Sequence, residues 1–265
     1  MIQEQATVLW NRQRRPGYFS MGLSCASYGE AIPGQFVMLR VSSRNAPLLR
    51  RPLSIHRLIT EGERTRGIEF LYRVVGTGTG LLAKARPGDD IDILGPIGNG
   101  FSISSQHRCI YLVGGGIGVP PLVFLATVLR SAGGEAAPRC RMFLGGRSRE
   151  DLLCAEEFEA LGIPVRLTTD DGSAGDKCLV THPLEEAVKT APPDIIYACG
   201  PLPMLSCVAG ISRKHGVPCQ VSIESMMACG MGACLGCAVQ GSGEKDRYWH
   251  VCKDGPVFDV SSLSI

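Results

Sequence analysis

The sequence lacks an excess of charge of either sign. Its 27 lysines and arginines against 25 aspartates and glutamates leave a formal net charge of +2. That is too little to suggest a nucleic-acid partner or an anionic membrane surface. It also lacks a signal-like apolar core, since residues 1–20 are polar and arginine-rich, and a cytoplasmic protein is expected. No internal repeat and no low-complexity linker interrupts the chain. The stretch Cys109–Leu129 is uncharged over a length that could cross a bilayer. It contains Gly114, Gly115, Gly116, Gly118 and the pair Pro120-Pro121, so a buried strand, a glycine turn and a helix start explain it better, and no membrane span is expected.

Cysteine, by contrast, is plentiful: there are 12. Eight of them (Cys25, Cys109, Cys140, Cys154, Cys178, Cys199, Cys207 and Cys219) are scattered, often in apolar runs, and read as reduced, buried thiols. The other four, Cys229, Cys234, Cys237 and Cys252, follow C-x4-C-x2-C with 14 residues before the last. This is the plant-type spacing of a [2Fe–2S] cluster held by four thiolates, embedded among glycines that let backbone N–H groups approach the sulfurs. Zinc is the alternative. Its knuckles are usually paired, whereas here the fourth cysteine stands alone after the polar stretch 241–247. A cluster carries single electrons, so electron transfer is the first functional expectation.

Hydrophobic patterning divides the chain in three. Residues 1–101 show short apolar runs (Gln35–Val41, Ile68–Val75, Asp90–Leu94) between turns, as in a small β-barrel. Residues 102–222 alternate strands at Cys109–Val113, Arg141–Leu144, Val165–Thr169, Ile195–Cys199 and Gln220–Ile223 with helices such as Glu150–Leu161 and Leu184–Val188. That rhythm predicts a five-stranded parallel sheet with right-handed crossovers. Residues 223–265 hold the cysteine loop and a tail without helical period.

Within the first segment, Arg51-Pro52-Leu53-Ser54 and Leu71-Tyr72-Arg73, followed by Gly78-Thr79, offer guanidinium donors, a hydroxyl and a small-residue turn suited to a phosphate-bearing cofactor. Each also has an ordinary explanation, a hairpin turn or a surface charge. In the second segment Gly114-Gly115-Gly116-Ile117-Gly118 joins a strand to a helix, where amides can hold phosphate. It fails G-x-G-x-x-G because Val119 takes the last glycine's place, and Arg147-Ser148-Arg149 stands where an acidic residue would end the second strand. The basic stretch leaves NAD and NADP both open. Cys199-Gly200-Pro201 closes the fourth strand. Asp170-Asp171 reads as a turn. The five histidines (His56, His107, His182, His215, His250) form no general-base constellation.

In this order the motifs resemble the ferredoxin–NADP reductase superfamily. That resemblance implies a flavin-binding β-barrel domain, with Arg51 toward the phosphates, Ser54 near the ring edge, and Leu53 packing where many relatives have an aromatic residue. It also implies that Cys199, Gly200 and Pro201 lie beside the nicotinamide. The run Ser222–Cys237, with Leu94–Phe101, Thr169–Ser173 and Cys252–Phe258, further resembles the electron-transfer subunits of NAD-dependent dihydroorotate dehydrogenase. The cofactors so implied are FAD, [2Fe–2S] and NAD. The implied partner is an FMN-containing catalytic subunit, in a heterotetramer of two subunits of each kind, with electrons running from FMN through the cluster and FAD to NAD+ in pyrimidine synthesis. The alternative is a similar subunit of a hydrogenase, a sulfide dehydrogenase or a ferredoxin-linked transhydrogenase. Residues 226–243 carry no charge, which suits a docking surface around the cluster.

Overall fold

The computed structural model describes residues 1–41, 46–131, 137–243 and 247–265. Positions 244–246 of the polar stretch before the fourth cluster cysteine lie outside the described residues. The first part forms β1 (Ile2–Arg15), β2 (Tyr18–Ser24), β3 (Phe36–Arg40), β4 (Arg51–Ser54), β5 (Arg57–Glu61), β6 (Arg64–Arg73), helix α1 (Thr77–Leu82) and β7 (Asp90–Ile97). These strands make one seven-stranded antiparallel sheet in the order β4-β3-β7-β1-β2-β6-β5. The expected barrel is thus a curled sheet whose consecutive strands β4 and β5 occupy opposite edges. No ladder joins them among the described residues. Pro52 explains part of this: it has no N–H to offer, and an edge strand is where a sheet tolerates it.

The second part runs β8 (Cys109–Gly115), α2 (Pro120–Ser131), β9 (Arg139–Gly146), α3 (Ala155–Ala160), β10 (Val165–Thr169), α4 (Thr181–Thr190), β11 (Ile195–Cys199), α5 (Leu202–His215) and β12 (Cys219–Ser222). The five expected strands are all present and parallel, in the order β10-β9-β8-β11-β12. Two prolines open α2, where their missing N–H groups are no loss. The helix expected over 150–161 is shorter. A 3-10 turn at Arg149–Asp151 is cut from α3 by Cys154, which adopts φ +63°.

The last part adds a small hairpin, β13 (Ala238–Gln240) with β14 (Tyr248–His250), and then β15 (Val257–Asp259). β15 pairs antiparallel with β12, making a sixth strand of the nucleotide-type sheet that the sequence pattern did not predict. Its three residues are too few to show a period. The three parts share one buried cluster, which joins Met38 and Leu94 of the first sheet to Val221, Leu205, Cys237, Cys252 and Phe258. Among the described residues no helix is long and apolar enough to cross a membrane. Of the scattered thiols Cys207 is exposed, and Cys109 and Cys178 are half-buried rather than buried.

Candidate functional site

The hairpin β13–β14 explains how two distant cysteines meet. Cys237 precedes β13 and Cys252 follows β14, and Val251 N–H donates to Cys237 O at 3.1 Å. Their sulfurs lie 3.3 Å apart in the buried cluster. Cys229 and Cys234 sit on the preceding loop, which turns through Gly230 and Gly232 at φ +72° and +82°. The loop aims its amides at sulfur. Met231 and Cys234 N–H both donate to Cys229 Sγ at 3.4 Å, Gly232 N–H to Cys252 Sγ at 3.1 Å, and Cys252 N–H to Cys237 Sγ at 3.5 Å. Desolvation works against the Cys229 thiolate, but those amides outweigh it and bring its pKa down to about 6. Burial and the neighbouring Cys237 push Cys252 up to about 12.

Among the described residues no three of these four sulfurs come within 4.8 Å of one another. One zinc ion would need every S–S edge at about 3.8 Å, given Zn–S bonds near 2.3 Å. The close pair Cys237–Cys252, with Cys229 and Cys234 on the loop before it and amides directed at Cys229, Cys237 and Cys252, suits two irons better, each taking two thiolates. The donor set therefore fits a [2Fe–2S] group. Cys234, Met231, Leu235 and Met226 are exposed, Met226 at 91%. Leu235 holds φ +58°, a strained value for a branched side chain.

The cysteine loop is seated on the first sheet. A Cβ on Gly230 would come within 2.6 Å of Met38 Cγ, and Met38 pairs in register with Pro52 of β4. The loop therefore lies one strand away from Arg51-Pro52-Leu53-Ser54, all half-buried on the sheet edge. The Arg51 guanidinium packs over Gly78 so closely that any Cβ there would collide with Nε. Thr79 Oγ1 meanwhile accepts the N–H groups of Val75 and Gly76 at 2.9 and 3.3 Å and caps α1. A cationic fork packed over a glycine of the turn fits a diphosphate. Leu71 and Tyr72 are placed otherwise. Both are buried, and Tyr72 donates its OH to Asn11 Oδ1 at 3.0 Å inside the sheet's core. Only their backbone is available to a ligand.

A cleft of about 500 Å³ opens between the two sheets. Gly115, Gly116, Gly118, Gly200 and Pro201 line it, as does Arg73 from the first sheet. Gly118 must be glycine, because a Cβ would stand 2.7 Å from Cys199 O and Gly200 N. Gly114 and Cys199 lie one position deeper, paired across β8 and β11, and burial pushes the Cys199 thiol up. No role was legible in the sequence for Tyr18, Asp151 and Thr181 on the cleft wall, because they come from three separated stretches with no motif between them, nor for Met204 and Glu224, which fall in runs read for other residues. The basic stretch divides. Arg147 lines the cleft, while the Arg149 guanidinium is spent on Ser173 O at 2.8 and 3.1 Å. Asp170 lines the cleft and Asp171 makes the turn by accepting Ser173 N–H at 2.8 Å.

Comparison with known proteins agrees with this layout. Residues 224–264 match the family model for the iron-sulfur cluster binding domain of dihydroorotate dehydrogenase B, and residues 112–210 that for the oxidoreductase NAD-binding domain. The chain is 43% identical over 87% of its length to the electron transfer subunit of dihydroorotate dehydrogenase B (NAD(+)) from Geobacillus kaustophilus, covering 86% of that protein. It is 40% identical to the same subunit from Geobacillus sp. (strain WCH70), covering 99% of each chain. A solved chain of an NADH-dependent reduced ferredoxin-NADP oxidoreductase superposes with TM-score 0.84 at 31% identity, over 98% of this chain and 89% of that one. The cytochrome b5 reductase domain of Ulva prolifera nitrate reductase shares the fold alone, at TM-score 0.65 and 18% identity, over 81% and 93% of the two chains.

Proposed function

The chain belongs to the family of electron transfer subunits of NAD-dependent dihydroorotate dehydrogenase B, and from that premise we propose that it links a catalytic dihydroorotate-oxidising subunit to NAD+ through [2Fe–2S] and FAD. When bound, the cluster exchanges single electrons and the flavin handles one or two, so a one-electron donor can be coupled to hydride exchange with NAD.

The observation that carries this proposal is the seating of the cysteine loop on Met38, one strand from the Arg51–Ser54 edge, with the nucleotide cleft opening between the two sheets and Glu224, just before the loop, in its wall. Cys229, Cys234, Cys237 and Cys252 supply the thiolates, and the amides of Met231, Gly232 and Cys234 spread their negative charge. Arg51, with the backbone around Gly78 and Thr79, would hold the flavin diphosphate, and Leu53 and Ser54 would contact the ring. The main chain at Gly115–Gly118 and Gly200-Pro201 receives the dinucleotide phosphates and the nicotinamide. With Arg149 withdrawn onto Ser173, Arg147 is left as the one side chain of the basic stretch in a cleft wall that also holds Asp151 and Asp170, and a ribose without a 2′-phosphate is favoured. Met226, Met231 and Leu235, exposed beside Cys234, form the apolar collar on which the catalytic subunit docks, as one of two copies in a heterotetramer.

Cys234→Ser tests the electron order. Co-expressed with the catalytic subunit, the variant should lose at least about 100-fold in dihydroorotate-to-NAD+ transfer while NADH still reduces a two-electron dye at the wild-type rate. Equal loss of both activities with FAD still bound would count against it. A wild-type complex that turns over hydrogen or reduced ferredoxin, but not dihydroorotate, would instead favour a different partner.

A further inference from the structure

Away from the cofactor sites, one partly buried cluster of ionisable side chains joins the two sheets. His56 and Arg57 come from the start of β5 and Arg14 from β1, whereas Cys154 and Glu157 come from α3 and its N-terminus. Glu157 Oε2 contacts Arg57 Nη2 directly and lies 3.1 Å from His56 Nε2, while Arg14 reaches Oε1 at 4.0 Å. His56 is 2% exposed.

His56, Cys154 and Glu157 place three possible ligand atoms within 4.8 Å of one another, a donor set that zinc uses. Arg57 argues against a metal. Its guanidinium touches the carboxylate and stands 2.9 Å from the imidazole Nε2, so the positive charge a cation would bring is already in place. His56 Nδ1 is buried with no partner among the described residues, whereas a metal-bound imidazole normally has its other nitrogen held. The cluster is an ion-paired joint.

Its location gives the joint a task. Residues 147–157 leave the end of β9, form one wall of the nucleotide cleft at Arg147 and Asp151, and finish at Glu157. Two other polar links cross the same seam. Tyr18 donates to Asp151 Oδ1 at 2.6 Å, and Arg15 Nη1 donates to Arg149 O at 3.3 Å. Cys154 keeps φ +63° in the middle of this wall, a strained conformation that persists only where its surroundings over-determine it. Hydride exchange tolerates little misplacement, since a shift of about 1 Å can cost about 100-fold.

We propose that Glu157 is a positioning residue: paired with Arg57 and His56, it bolts the 147–157 wall of the nucleotide cleft to the flavin sheet and so fixes the approach of the nicotinamide to the flavin. This rests on the flavin and nicotinamide function proposed above. The test uses the complete chain, loaded with FAD and cluster and assembled with its catalytic subunit, as wild type, Glu157→Gln, Arg57→Met and the double variant. Rapid mixing with NADH gives the rate of flavin reduction, and hydrogen exchange gives the protection of residues 147–157 and of β5.

Either single substitution should slow flavin reduction about tenfold or more and lower protection on both sides of the seam, with FAD and iron content unchanged. The double variant should be no worse than the worse single one, since both remove the same joint. Arg57, 41% exposed, serves alone if Glu157→Gln does not accumulate folded. Unchanged reduction rates, or loss of protection with no change in rate, would reduce Glu157 to a structural role. Stoichiometric zinc lost in Cys154→Ala would overturn the joint in favour of a metal site. A wild-type chain that binds FAD but is not reduced by NADH would instead sink the function on which the proposal rests.

Discussion

Glu157 shows how one carboxylate can matter at a distance from any cofactor. Its burial alone would raise its pKa, but the hydrogen bond and charge of His56 and the charge of Arg57 bring it down to about 2. A group depressed in the folded state stabilises fully above its unfolded value of about 4.3, and that contribution fades as pH falls through about 2. Unfolding free energies of wild type and Glu157→Gln from urea titrations should therefore differ at pH 7 by on the order of 3 kcal/mol, and the gap should narrow steadily below about pH 4. A gap that stays constant down to pH 3 would show that the carboxylate's charge is not what holds the joint. Nothing in the sequence marked this residue: it is one of three glutamates within four positions, 156–159, and its partners are about 100 residues away. The cluster cysteines were legible for the opposite reason, because three of the four lie within nine residues, 229–237, at a spacing set by the metal group itself.

At the level of elements, the parallel strands were readable because each is a short, mostly apolar or β-branched run flanked by glycine or polar turns. Val165–Thr169 and Ile195–Cys199 fall where the pattern puts them. Helix α3 fell short because Cys154 breaks it, and periodicity cannot report a left-handed residue. Strand β15 was missed because three residues carry no period, and its partner β12 lies more than 30 residues upstream. Yet β15 shapes the site. Its pairing, with Ile223 N–H donating to Pro256 O at 2.9 Å, pins both ends of the cysteine segment to the nucleotide sheet. Phe258, buried against Gly255, is the anchor. Phe258→Ala should cost about 3–5 kcal/mol. In calorimetry it should lower the melting of the whole chain, with faster release of iron to a chelator. If iron release were unaffected, the strand would not be what restrains the loop.

Taken as a whole molecule, the chain does not divide as cleanly as its patterning. Composition separated a β segment, an α/β segment and a cysteine segment, but one buried cluster takes side chains from all three. Such long-range packing leaves no local trace. The cleft was equally hidden: its glycine turns are local in sequence, while Tyr18 and Arg73 reach it from the first sheet. Assembly with a catalytic subunit belongs to this scale too: Met226, Met231 and Leu235, all exposed, lie on the segment that carries Cys229 and Cys234.

The cysteine loop, tied at both ends to the nucleotide sheet and resting by Gly230 on Met38 of the flavin sheet, has a thermodynamic consequence. A ligand that favours one placement of the two sheets must favour every other ligand that needs the same placement, and the effect runs equally in both directions. Saturating NAD+ should thus slow the loss of iron to a chelator, and chain stripped of iron should bind NAD+ about fivefold or more weakly, read by titration against flavin fluorescence. Independence of the two would mean the loop floats on its seat. With coupling, dinucleotide affinity becomes a gauge of iron supply, and a cell short of iron would release this chain's share of NAD before losing the protein.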